Sequence, residues 1–485
     1  METKHILAMI LLVGLTSAGL LAALFSQKLR DGALFILVFG AVFVRKFMDV
    51  TFGGDYTYRG TIRGYEVSAL DIAAWCILLA TLALPRYRGK RFYLPAGFGM
   101  LGLYFAYCCF NVAISDPQQY GMWELSRILR SVIVLLAAAI FVRTRRELSI
   151  VVVAVGCAVT FLSLNAIEQR LFRGVLRPPA TLDHENSLSM YLCTVGPVLL
   201  AASLSSFPKG IRYFAGVGCV LAMLAEMLTL SRTGMPTFFL VMGMTGVMCT
   251  TWKITRRKVA FALTVFIFGG ALLFAGREQL LNRLGHGDSG LSIKDEFISE
   301  EGYETRGMYW RIAFAIAEDR PYGVGLNNWS YHVSKTYAAR IGVVYDDYDS
   351  GRELIEDIDT NPLNHSPPAH GMAVLTWGEL GMPGLVILGL VWLRWFQMGA
   401  SFLRGRLNSD PMHRLGVGFL GSTTGIFLHS ATEWTYRQTP IVFTFHVMMG
   451  CLASLYYARQ HSKVEEHETV ELDDIDPVQA IVVQR

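Results

Sequence analysis

Apolar runs of about 17 to 22 residues, long enough as helices to cross about 30 Å of hydrocarbon, recur near 5–25, 32–50, 67–84, 96–114, 124–142, 149–166, 187–206, 212–230, 234–251 and 259–275. After a long polar stretch they resume near 371–393, 415–430 and 440–458. This pattern predicts an all-α polytopic membrane helix bundle of twelve or thirteen transmembrane helices, the lower number applying if one early window is re-entrant. The basic clusters Arg86/Arg88/Lys90/Arg91, Arg143/Arg145/Arg146, Lys253/Arg256/Arg257/Lys258 and Arg394/Arg404/Arg406/Arg414 fall in alternate loops. The positive-inside rule makes those loops cytoplasmic. The loops 51–66, 115–123, 167–186, 276–370 and 431–439 are then external.

Four parts follow: an N-terminal transmembrane bundle over 1–275, a sizeable external, partly helical segment over 276–370, C-terminal transmembrane helices over 371–458 and a charged cytoplasmic tail over 459–485. The first apolar run has no small-residue cleavage site and reads as a retained span. Within the external segment, "YWRIAFAIAEDR" carries apolar residues at helical spacing and is ended by "PYGVG". The later "YDDYDSGRELIEDIDTN" resembles a calcium loop only superficially. With Gly351 at the sixth position, Tyr348 takes the third, where an oxygen ligand is needed.

Composition adds the solvent. Of 485 residues, 53% are hydrophobic and only 17% charged, which places the chain in lipid. The net charge of +4 is dispersed among short loops, so no nucleic-acid face is expected. All eight cysteines lie inside or at the ends of apolar runs, in no metal-ligand or disulfide pattern.

Ionisable groups at the edges of spans carry the candidate chemistry, because burying them is costly. In "LTLSRTGMP", Arg232 ends one run and opens the next with almost no loop between. A guanidinium fork there suits phosphate oxygens, although an arginine snorkelling to the interface would look the same. "ETRGMYWRIAF" offers Arg306 and Arg311, which five residues apart point to different faces of a helix. Arg306 is the first choice to join Arg232 at a common anion, with Arg311 as a secondary binding candidate. In "NHSPPAHGMAVLTWGEL", Pro367 and Pro368 forbid helix before about Ala369, so the next span is expected to start at His370. Its first-turn N–H groups suit an anion, and its imidazole can take a proton near neutral pH. A capping or interfacial histidine is the simpler alternative. His365, on the irregular side, is a secondary binding candidate. Glu379 follows His370 by half a revolution and reads as a buried structural carboxylate. Glu226, Glu433 and Arg437 complete the set, Arg437 as a substrate contact, though each could simply satisfy a neighbouring helix.

Taken in order, "TLDHENSLSMYL", "TLSRTG", "TRGMYWRIAFAIAEDRPYGVGLNNW" and "AHGMAVLTWGELGMPGL" resemble the O-antigen ligase and polymerase family of bacterial envelope glycan assembly. The resemblance covers about residues 177–450. It implies a GT-C-type, inverting membrane glycosyltransferase of lipopolysaccharide or polysaccharide biosynthesis in the bacterial inner membrane. Such an enzyme moves a glycan from an undecaprenyl-diphosphate donor to a glycan, lipid or protein acceptor at the periplasmic face, with no cofactor and no metal. Carried over by position, Arg232 and Arg306 hold the diphosphate, His370 acts at the acceptor hydroxyl, and Asn186 belongs to the substrate-binding set. One position departs from the pattern: the family's Asn after the histidine is Gly371 here. The rival reading is a transporter of lipid-linked glycan or a small anion. The chain gathers Gly, Pro and charge at one membrane boundary, not at mid-span, which favours chemistry at the surface.

Overall fold

The computed structural model describes residues 3–44, 49–55, 58–84, 93–250, 306–340, 366–403 and 411–473. Among them the chain is helical apart from one short ribbon. The helices are α1 (Thr3–Phe25), α2 (Gln27–Phe39), α3 (Ala69–Ala83), α4 (Phe98–Ile114), α5 (Gln118–Phe141), α6 (Arg145–Leu171), α7 (Glu185–Leu204), α8 (Lys209–Thr229), α9 (Gly234–Cys249), α10 (Arg306–Asp319), α11 (Trp329–His332), α12 (Met372–Ala400), α13 (Pro411–Ser430) and α14 (Thr439–Asp473). Five of them, α6, α7, α8, α12 and α14, are long and apolar enough to cross a membrane, and four shorter apolar helices accompany them. The window at 259–275 lies outside the described residues.

One expected span is corrected. The window 32–50 ends its helix at Phe39, adds a single tight turn over Gly40–Phe43 and reaches a strand by Asp49. Thirteen helical residues rise only about 20 Å, and the Arg45, Lys46 and Asp49 that follow resist entry into hydrocarbon. The strand Asp49–Phe52 pairs antiparallel with Tyr65–Ser68. That ribbon is anchored to the bundle where Glu66 accepts a hydrogen bond from Thr439 at 2.7 Å.

The hub of the bundle is α7, whose apolar window is 89% buried against 33% for its neighbour α8. α13, α8 and α9 pack around it. Close approach of α13 rests on small residues: a Cβ on Gly418 would lie 2.6 Å from Ala201, one on Gly421 2.8 Å from Pro197 and one on Gly425 2.7 Å from the Cys193 carbonyl. Lipid offers helices little hydrophobic reason to associate, so backbone proximity of this kind carries the packing.

α12 is broken. Pro383 cannot donate to the carbonyl of Glu379, and Gly381 takes φ +66 and ψ −176. Three carbonyls in the break are nevertheless satisfied. Gly378 accepts from Val324 N–H at 2.9 Å, Glu379 from Gly325 N–H at 2.9 Å, and Leu380 from the Tyr107 hydroxyl at 2.7 Å. The "PYGVG" turn and "GELGMPG" are therefore two halves of one lock. A Cβ on Gly323 would sit 2.3 Å from the Glu379 carbonyl oxygen, and one on Gly381 2.1 Å from that of Pro321, with positive φ at both. Gly323→Ala and Gly381→Ala are each expected to lower stability by roughly 1 to 3 kcal/mol, seen as a reduced thermal midpoint of the detergent-solubilised protein.

The next residues fasten the same turn to other loops. Asn327 (φ +58) accepts from Thr61 N–H at 2.9 Å and donates to the carbonyls of Ile62 at 3.1 Å and Tyr120 at 3.0 Å. The Tyr58 hydroxyl donates to the Asn327 carbonyl, and burial holds that phenol well above its usual range. His332 bonds the Asp116 carbonyl at 2.8 Å, and burial lowers its pKa, so it sits there as neutral imidazole. The helix predicted over "YWRIAFAIAEDR" forms as α10. It lays Tyr309, Ile312, Ala313 and Ile316 against Val374 and Leu375 of α12 in a separate apolar cluster.

Candidate functional site

At the end of the bundle where α10 sits, the predicted near-absence of a loop between α8 and α9 is realised by a backbone reversal. Leu230 takes φ +49, Ser231 donates its N–H to Thr229 Oγ1 at 3.2 Å, and Gly234 opens α9 by donating its N–H to Ser231 Oγ at 3.1 Å. Only glycine fits at 234, since a Cβ there would lie 1.8 Å from Ser189 Oγ. Arg232, half-buried, is carried on this turn.

From Ser231 a chain of hydrogen bonds runs across the site. Its hydroxyl donates to Asn186 Oδ1 at 3.0 Å, Asn186 Nδ2 donates to Glu433 Oε1 at 3.0 Å, and the other carboxylate oxygen, Oε2, lies 3.0 Å from His370 Nδ1. Glu433 is the buried end of the last pair, its side chain 3% exposed against 32% for His370. With Nδ1–H donated to the carboxylate, the neutral imidazole carries its lone pair on Nε2. The Tyr309 ring of α10 packs 5.8 Å from the imidazole. Five separate stretches thus meet: the start of α7, the α8–α9 turn, α10, the entry to α12 and the loop after α13.

The helix start differs from expectation. α12 begins at Met372, not at His370, with Gly371 as N-cap at φ +109 and ψ 117, a conformation open essentially to glycine alone. A Cβ at 371 would also come 3.1 Å from the Ala431 carbonyl oxygen. The departure from the family pattern thus has a local cause: the chain turns through Gly371 to bring His370 over the loop that bears Glu433.

The other candidates separate. Arg306 is the first residue of α10, three residues before Tyr309, and its side chain lies outside the described residues. Arg311 is exposed on the same helix. His365 lies outside the described residues. Arg437, expected to meet substrate, is instead buried and paired with Glu379. It lines a cavity of about 40 Å³, room for a few waters and not for a sugar. Glu379 is the structural carboxylate that its helical phase implies. Glu226 is buried on α8 and accepts from Ser189 at 2.6 Å. The sequence reading places Glu433 among residues that could simply satisfy a neighbouring helix and does not single out Tyr309. The available signal was a carboxylate in a short loop at the same boundary as the histidine, which needs a partner to fix its tautomer.

Residues 217–389 match the family described as O-Antigen ligase, which supports an O-antigen ligase family assignment. The match contains Arg232, Arg306 and His370 and leaves Asn186 and Glu433 outside. No curated protein matches the chain. On a membrane helix bundle, this family supports a membrane glycan ligase or polymerase, with a lipid-linked glycan and a glycan acceptor as its general substrates.

Proposed function

We propose, from the O-antigen ligase family assignment of residues 217–389, that the protein transfers a glycan from an undecaprenyl-diphosphate donor to an acceptor hydroxyl at the periplasmic face of the inner membrane. The observation that carries this reading is the His370–Glu433 pair, joined by hydrogen bonds to the turn that bears Arg232. His370 Nε2 takes the proton of the acceptor hydroxyl. The oxygen forms a bond to the anomeric carbon as the bond from that carbon to the diphosphate breaks, and undecaprenyl diphosphate leaves with the electron pair. Attack opposite the leaving group inverts the anomeric centre. Charge developing on the diphosphate calls for fixed cations, a role for Arg232 and, at the start of α10, Arg306. Glu433 holds the imidazole in the productive tautomer and stabilises the imidazolium.

A transport reading would draw on the broken α12, since discontinuous helices form many transporter sites. Here the carbonyls of the break are already bonded to the 321–325 turn and to Tyr107, so they are not free to coordinate a substrate. The proposed role of Glu433 is tested by Glu433→Gln, which keeps the shape of the side chain. Turnover is expected to fall on the order of 10- to 100-fold, the usual loss when a partner that orients a reacting group is removed, with donor binding retained. Unchanged turnover would leave His370 without its orienting carboxylate and would remove the pair from the mechanism.

A further inference from the structure

Asn186 forms part of the substrate-binding set implied by resemblance, yet its side chain is engaged at both ends by the protein. Its Oδ1 accepts from Ser231 Oγ and its Nδ2 donates to Glu433 Oε1, each at 3.0 Å. We infer that Asn186 is a positioning residue, which sets the rotation of the Glu433 carboxylate and through it the orientation of His370.

The directions of the bonds support this. A carboxylate only accepts, so Asn186 must present its NH₂ group to Glu433. The Ser231 hydroxyl donates to the amide oxygen on the other side and so favours that orientation. A reversed amide would set its oxygen against the carboxylate and its NH₂ against a hydroxyl that already receives the Gly234 N–H. With Glu433 almost fully buried, losing the donor on Oε1 would remove one of the hydrogen bonds that hold its carboxylate. The carboxylate would then be free to turn away from Nδ1.

The backbone that carries Asn186 is braced independently of the site. His184 caps α7 by accepting the Asn186 N–H on Nδ1 at 3.1 Å. Glu185 pairs with Arg177 at 2.6 Å, and Arg177 also donates to the Thr229 carbonyl at 3.2 Å, where α8 ends. The first turn of α7 is therefore tied to the end of α8, while the Asn186 side chain reaches both the Arg232 turn and the His370 pair. The "HENS" stretch thus works as a bracket between the donor side and the acceptor side.

This inference rests on the reading of His370 as the base, and a double-mutant cycle separates the two. Asn186→Ala and the isosteric Asn186→Asp are made in the wild-type and Glu433→Gln backgrounds, and kcat and donor KM are measured on purified full-length protein with an undecaprenyl-diphosphate glycan. In the wild-type background Asn186→Ala is expected to lower kcat about tenfold or more with donor KM unchanged. Asn186→Asp, which sets a second carboxylate against Glu433, should do at least as much harm while preserving shape. In the Glu433→Gln background the further loss from Asn186→Ala should be less than about twofold, because the two act as one unit. Equal losses in both backgrounds, or a raised donor KM with kcat intact, would overturn the positioning role and return Asn186 to direct substrate contact. A fully active His370→Ala would overturn the underlying reading instead. Should Asn186→Ala fail to fold, the Asn186→Asp pair of measurements decides by the same criterion.

Discussion

His370→Ala is expected to lower turnover per folded molecule by about 10² to 10⁴, the range in which general acid and base groups act, while affinity for the lipid-linked donor stays near that of the wild type. The loss should be large because the part-exposed His370 imidazole is backed by a carboxylate only 3% exposed at 3.0 Å, whereas the His184–Glu185 pair is longer, at 3.3 Å, and more open. His184, the nearest alternative in sequence among the motif stretches, already uses Nδ1 to cap α7. His332 is held on the Asp116 carbonyl. A capping role for His370 predicts a different outcome, because α12 starts two residues later with Gly371 as its N-cap. In that case alanine would cost a little thermal stability and leave turnover intact.

The second large effect is expected at Arg232. Arg232→Lys keeps the charge but replaces a planar fork by a point charge, and should reduce transfer about 10²- to 10³-fold if the guanidinium stabilises the leaving diphosphate. Insertion and thermal stability should change little, because the turn around it is held by backbone bonds of Ser231 and Gly234 and by Leu230 in the left-handed region. Donor turnover and folded yield are measured together. Normal transfer by the lysine variant would reduce Arg232 to an interfacial anchor.

Both residues were candidates on the sequence alone, and much of what surrounds them was not legible there. Span length and the alternation of basic loops make the helix bundle legible, since lipid imposes them segment by segment. The α8–α9 turn and α10 were equally accessible, because each is specified by neighbours within a few residues. The window 32–50 misled because hydropathy averages across Arg45, Lys46 and Asp49, whereas a helix has to keep each of them out of hydrocarbon. The break in α12 was hidden for another reason. Pro383 signals a kink, but the freed carbonyls are met by a turn about 54 residues earlier and by Tyr107, 273 residues away, and no local pattern encodes that pairing. The same limit applies to Glu433. Its partners Asn186 and His370 lie 247 and 63 residues away, so the contact emerges only when the start of α7, the entry to α12 and the loop after α13 meet. Arg437, four residues on, looks equivalent in sequence and is turned inward to Glu379. Gly371 is the inverse case: a departure from a motif that reads as a loss of side-chain chemistry and proves to be a backbone requirement.

The most direct test of the account is a balance sheet of one reaction. Full-length protein reconstituted in liposomes is supplied with an undecaprenyl-diphosphate glycan and a glycan or lipid acceptor, and covalent product and released undecaprenyl diphosphate are quantified together by mass spectrometry. The account predicts one undecaprenyl diphosphate released for each glycan transferred, with both signals lost together in His370→Ala. Movement of intact lipid-linked glycan across the bilayer with no covalent product, in wild type and His370→Ala alike, would contradict it.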